Sequence, residues 1–261
     1  SEGNTSEGNT SEGKGMICSR RSTTTSTLLR EKRRRVFVLK KKKWLAMLLT
    51  IAMVVMLVPT TVLAASPTTL NVNGTSILTA TDNKVACGNG TAEYDPESNT
   101  LTLTDITIEG DFSGHAAIFT NGDLTIRLIG TNTITSGWYG IYSSNNNSTI
   151  TIGGSGTLTI NADNDCVRGA DLIIGIAGET DAPIVNVTGK EKYASGIYAT
   201  NTLTIQNGAN VTAISEAQGY ALCGENGVVI TGSTVNTTVD GIETNVIASF
   251  ADFSIDSSTV T

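Results

Sequence analysis

Gly196-Ile197-Tyr198-Ala199-Thr200-Asn201-Thr202-Leu203-Thr204-Ile205-Gln206-Asn207-Gly208-Ala209-Asn210-Val211-Thr212 is one unit of a repeat. It holds three short runs in which an aliphatic residue sits between small or polar ones, separated by bends rich in Asn and Gly. Successive residues of a strand face opposite sides, so each run turns its aliphatics inward and its Thr, Asn or Tyr outward. Such a period of two excludes a helical solenoid.

The first run recurs as Ala117-Ile118-Phe119, Gly140-Ile141-Tyr142, Cys166-Val167-Arg168, Gly196-Ile197-Tyr198, Ala221-Leu222-Cys223 and Gly241-Ile242-Glu243, at steps of 23, 26, 30, 25 and 20 residues. The second recurs as Leu124-Thr125-Ile126, Ile150-Thr151-Ile152, Leu172-Ile173-Ile174, Leu203-Thr204-Ile205, Val228-Val229-Ile230 and Phe253-Ser254-Ile255. The third reads Thr133-Ile134-Thr135, Thr157-Leu158-Thr159, Asn186-Val187-Thr188, Asn210-Val211-Thr212, Thr234-Val235-Asn236 and Thr259-Val260-Thr261, with one inward aliphatic each. Repeats of this length mark a solenoid. Three strands per turn predict an all-β, single-stranded, right-handed parallel β-helix of about six turns, roughly 30 Å tall.

No turn can bury its inner face alone, so the ends need caps. Residues 65–100 are expected to form an N-terminal β cap, with a hairpin at Leu70-Asn71-Val72-Asn73-Gly74 and an Asp95-Pro96 turn. Residues 101–261 are then the β-helix, expected to be truncated at its C-terminus.

Residues 1–64 read as a disordered leader followed by a signal peptide. A basic block runs from Lys32 to Lys43, an apolar stretch from Leu45 to Val58, and Val62-Leu63-Ala64 is a small-residue cleavage site. The apolar stretch is too short to span a bilayer. Export with cleavage near Ala64, to the medium or the cell surface, is the expectation. The leader holds 12 of the 17 basic residues and 4 of the 24 acidic ones, which leaves 5 Lys/Arg against 20 Asp/Glu. So acidic a remainder argues against nucleic acid or an anionic membrane as partner.

Chemistry-bearing motifs are few. There is a single His, His115, on a bend, and no phosphate loop, paired-His metal motif or nucleophile elbow. Cys87, Cys166 and Cys223 follow the leader, and the last two stand about 10 Å apart along the stack, too far for a disulfide. Free thiols are expected.

Three features are candidate sites. The outward first-run residues Phe119, Tyr142, Arg168 and Tyr198 form a column, with Trp138 and Tyr139 on the adjoining bend. Flat aromatic faces beside polar bends suit a sugar ring. Asp163-Asn164-Asp165 with Arg168 is the densest polar cluster, in which Asp163 and Asp165 are candidate Ca²⁺ ligands. The same carboxylates with Arg168 would serve a polysaccharide lyase or glycoside hydrolase. The bends equivalent to this cluster, Ser136-Gly137-Trp138 and Glu191-Lys192-Tyr193, offer no matching carboxylate ladder. The fourth turn has two long bends, 175–183 and 189–193, and the second carries Lys190 and Lys192, which would meet an anionic glycan. The Thr and Asn of the third run form outward ladders, as exposed strand faces favour.

The run Gly90-Thr91-Ala92-Glu93-Tyr94-Asp95-Pro96-Glu97-Ser98-Asn99-Thr100-Leu101-Thr102-Leu103, with Asn121-Gly122-Asp123-Leu124-Thr125-Ile126 and the Gly-Ile-Tyr turns, resembles exported β-helix modules of Gram-positive gut anaerobes classed as carbohydrate-binding domain-containing proteins. The resemblance covers about residues 68–261. It implies a secreted or wall-associated, noncatalytic glycan-binding or adhesive module, a monomer or one part of a longer multidomain chain, and it transfers no site residues. The alternatives are the enzyme named above and a structural spacer.

Overall fold

The computed structural model describes residues 65–240 and 246–261, which form an all-β parallel solenoid of about six turns. The leader and signal-peptide reading of residues 1–64, and Gly241-Ile242-Glu243, lie outside the described residues. Among the described residues no helix is long and apolar enough to cross a membrane.

Three sheets run along the rod, one for each run of the repeat. The first stacks Ala116–Thr120, Tyr139–Ser143, Val167–Gly169, Ile197–Ala199, Leu222–Gly224 and Ile247–Ser249 in parallel. The inward residues Ile118, Ile141, Val167, Ile197 and Leu222 pair in register. Leu222 then pairs with Ile247, so the sixth member is Val246-Ile247-Ala248 and not Gly241-Ile242-Glu243. Both stretches carry a central aliphatic, and only pairing separates them.

The second sheet follows the expected register at every turn. Leu124, Ile150, Leu172, Leu203, Val228 and Phe253 form one column, and Ile126, Ile152, Ile174, Ile205, Ile230 and Ile255 the next. In the third sheet the register differs from the expected one. Ile134 pairs with Ile160, Val187 and Ala213, whereas Leu158 pairs with Asn132, Val185, Val211 and Val235. The strands Thr157–Ala162, Ile184–Gly189 and Asn210–Ser215 therefore send two apolar residues inward rather than one, and these and Thr131–Ser136 end on a small buried residue: Ala162, Gly189, Ser215 and Ser136. The error is a slip of two residues, which leaves every side chain on its correct face and is invisible to a period of two.

Asn132 occupies an inward position with no exposed surface. It is satisfied there, accepting from Ile106 N–H (3.2 Å) and donating to the carbonyls of Ile129 (3.1 Å) and Thr157 (3.2 Å). A buried amide is tolerated only when its donors and acceptors are paired in this way.

At the N-terminal end the pairing turns antiparallel. Leu70–Val72 and Thr75–Ser76 form a hairpin on Ala116–Thr120, while Gly90–Asp95 and Lys84–Cys87 extend the second sheet beyond Thr100–Thr104. Asn73 (φ 50°) and Gly74 (φ 73°) make the hairpin turn, both in the left-handed region such two-residue turns require. The 3₁₀ turn Ile77–Thr79 packs between these two strand sets, and its Ile77, fully buried, plugs the apolar bore.

The three cysteines Cys87, Cys166 and Cys223 are free and buried. Burial pushes the Cys166 and Cys223 thiols up from 9.0 to about 12, with the Glu225 carboxylate adding to the rise at Cys223. The folded state therefore holds these protons more tightly than the unfolded chain. The resulting stability is complete below pH 9 and is lost as pH rises towards 12. Urea midpoints measured from pH 8 to pH 12 are expected to fall through that window, and less steeply in Cys166→Ala.

Candidate functional site

In-register parallel pairing sets the outward residues of the first sheet about 4.8 Å apart along the rod. Phe119 pairs beside Tyr142, Tyr142 beside Arg168, Arg168 beside Tyr198 and Tyr198 beside Cys223, which is followed by Ala248 rather than Glu243. The Phe119 and Tyr142 rings lie 5.9 Å apart and tilted, and the Arg168 guanidinium sits 4.5 Å over the Tyr198 ring. All four side chains are half-buried against each other.

Arg168 is held from beneath. Its Nη1 donates to Asp165 Oδ2 (2.6 Å), and Asp165 Oδ1 accepts from Ser195 N–H (2.7 Å). Asp165 is 2% exposed, so both of its oxygens are spent inside the protein. Burial works against the Arg168 charge, but the Asp165 carboxylate outweighs it and holds the guanidinium above its usual range. Tyr198 donates to Glu225 Oε1 (2.5 Å), and burial together with this bond pushes its phenol well up. The column from Arg168 downward is thus a closed, self-satisfied network.

The open site lies beside it, on the bends that join the third sheet to the first. Gly137 and Trp138, Asp163 and Asn164, and Glu191 and Lys192, from three successive turns, line a half-open groove of about 330 Å³. Backbone rungs hold the bends in stack: Asp163 N–H to Ser136 O (2.9 Å), Asn164 N–H to Trp138 O (3.1 Å), Lys190 N–H to Ala162 O (2.9 Å) and Glu191 N–H to Asp163 O (3.0 Å). Ser136 Oγ fixes the first bend, accepting from Trp138 N–H (3.1 Å) and donating to Tyr139 O (2.7 Å). Gly137 packs closely there, since a Cβ would sit 2.7 Å from Asp111 Oδ1 and 3.0 Å from Asp111 O and would press Asp111 aside.

Trp138 is 37% exposed on the groove wall. It meets Tyr139 edge-on at 5.7 Å, and Tyr139 stacks on Tyr142 at 4.8 Å. The aromatic patch Trp138, Tyr139, Tyr142 and Phe119 therefore runs unbroken from the groove into the column. Burial pushes the Tyr139 phenol up. The ion pairs among the described residues are Lys84 with Glu93, Arg127 with Glu179 and Arg168 with Asp165, so Asp163, Glu191 and Lys192 face the groove without a partner among them. Lys192 instead lies 4.9 Å over the Tyr193 ring, and Tyr193 holds a φ of 72°, rare for an aromatic residue.

Sequence-based expectations and geometry separate here. Asp163 lines the groove while Asp165 is buried beneath Arg168, and among the described residues no three His, Cys, Asp or Glu side chains gather to hold a metal ion. The bend of Glu191 brings a second carboxylate to the groove of Asp163, although Ala162 pairs with Gly189, which sets Lys190 and not Glu191 level with Asp163. Lys190 is exposed but is not among the lining residues. The long bend 175–183 lies at another corner and is tied down. Arg127 grips Glu179 through two bonds (3.0 and 3.1 Å), and Asn207 Nδ2 donates to Glu179 O (2.6 Å).

Gly137, Asn164 and Glu191 are groove residues that the repeat pattern does not mark. The small buried residue ending each third strand was the available signal, because aligning Ser136, Ala162 and Gly189 brings the three bends level. Comparison of the chain with protein-family models, with curated protein sequences and with solved structures finds no match.

Proposed function

We propose that the chain is an exported, noncatalytic carbohydrate-binding module, acting in the medium or at the cell surface. The observation that carries this reading is the exposed Trp138 on the wall of a polar groove, continuous with Tyr139, Tyr142 and Phe119. A flat aromatic face packs against the C–H face of a pyranose ring. The carboxylates of Asp163 and Glu191, the Asn164 amide and the Lys192 ammonium supply acceptors and donors for its hydroxyls. Few convergent polar groups beside an aromatic wall are the usual make-up of a small-ligand site.

Binding is favoured over catalysis because two of the three groups of the enzyme reading, Asp165 and Arg168, are committed to each other and only Asp163 lines the groove. Both Asp165 oxygens are bonded, and Arg168 is stacked on Tyr198 and paired to Asp165. A residue so engaged has no oxygen left to attack or protonate a glycosidic bond. Export rests on the leader's basic block, apolar stretch and cleavage site.

A glycan-array screen of the chain, with and without Ca²⁺ and scored for both retention and product release, tests this reading. Retention without product is expected, with Ca²⁺ making no difference. Released oligosaccharides would contradict it in favour of the enzyme, and silence on every glycan in favour of the spacer.

A further inference from the structure

The groove has a direction. Its six lining residues are three adjacent pairs, one pair from each of three successive bends, so it is two residues wide and three turns long. Stacked turns rise about 4.8 Å each, which puts the first and third bends about 10 Å apart along the rod. At the upper end Asp111, exposed on the bend of the preceding turn, lies against Gly137 and carries the polar edge one turn further. At the lower end Glu216, also exposed, follows on the next bend, its N–H bonded to Gly189 O (2.8 Å). Gly137 packs directly on Asp111, whose carbonyl and Cα would lie 3.0 and 3.1 Å from a Cβ there.

We infer that the groove binds the interior of a linear polysaccharide lengthwise along the rod axis, about one sugar ring per turn, rather than a single sugar or a chain end. This rests on the carbohydrate reading above and adds the class of ligand and its orientation. Each turn presents one station to the ligand, and the three differ in chemistry. Trp138 supplies an apolar face at the first, the Asp163 carboxylate and Asn164 amide an acceptor and a donor at the second, and Glu191 with Lys192 a carboxylate and an ammonium at the third. A ligand extended along the rod axis, with hydroxyls and C–H faces on every ring, reaches all three. A single ring meets one station and leaves the other two to water.

Calorimetry of the full chain with cello-, xylo- and galacturono-oligosaccharides of one to six units, together with the series cut from any polysaccharide retained on the array, tests this. Affinity is expected to rise about tenfold or more from one unit to three and then to level off, with blocked reducing ends making no difference. Glu191→Ala at the lower end and Asp163→Ala at the centre are expected to weaken the trisaccharide more than the monosaccharide. A monosaccharide that binds as tightly as the hexasaccharide would overturn the lengthwise groove while leaving carbohydrate binding in place. No binding at any length in any series would overturn both.

Discussion

Trp138→Ala is expected to weaken glycan retention by about 30-fold or more while leaving the urea midpoint nearly unchanged. The size follows from the loss of about 2 kcal/mol typical of a central aromatic contact in a binding site. Stability is spared because Trp138 is 37% exposed and sits on a bend fixed by its backbone through Ser136 Oγ, not by its ring. Surface substitutions of this kind usually change stability by less than about 0.5 kcal/mol. Tyr198→Ala is the informative contrast. Tyr198 lies two turns below Tyr142, under the Arg168 guanidinium and bonded to Glu225, so its loss is expected to lower the urea midpoint and to spare retention. If Tyr198→Ala abolished retention and Trp138→Ala did not, the column and not the bend groove would be the binding surface.

Asp165→Ala is expected to cost about 3–5 kcal/mol of folding stability, read as a fall in urea midpoint. Removing the carboxylate strands a half-buried guanidinium and leaves the buried Ser195 N–H without an acceptor. Asp165→Asn keeps an acceptor for Ser195 and is expected to lose less. Pairing Asp165→Ala with Arg168→Met removes the stranded charge, and part of the lost stability is expected to return. A stable Asp165→Ala protein that failed to retain glycan would mean that Asp165 serves the ligand directly and not the fold.

The second sheet was legible in the sequence from Leu124 onward, while the pairing of Lys84–Cys87, Gly90–Asp95 and Thr100–Thr104 at its upper end was not. Its runs carry two aliphatics at fixed spacing, so Leu203 and Ile205 align with Leu172 and Ile174 in only one way. The third sheet was legible in face and not in register. Leu158 and Ile160 are equally good partners for Ile134 by periodicity, and the choice depends on which backbone groups pair. For the same reason Gly241-Ile242-Glu243 passed as a sixth turn although the strand that pairs with Leu222–Gly224 is Ile247–Ser249.

The candidate site was half legible. Phe119, Tyr142, Arg168 and Tyr198 were placed in one column because outward strand positions inherit the repeat. The division of that column into an aromatic patch open to the groove and a network closed around Asp165 depends on side-chain contacts that no spacing encodes. The sequence placed the bends of Trp138, Asn164 and Glu191 level with one another, but bends carry no hydrophobic pattern, so which of their side chains line the groove was not legible.

Trp44 and Trp138 are the two tryptophans of the chain, which makes emission a direct probe of the groove. The measurement is a fluorescence titration of the Trp44→Phe chain with a glycan that the array retains. Binding in the bend groove is expected to shift or quench the Trp138 emission, saturating at the concentration where retention saturates. Full retention with unaltered Trp138 emission would contradict a site on these bends.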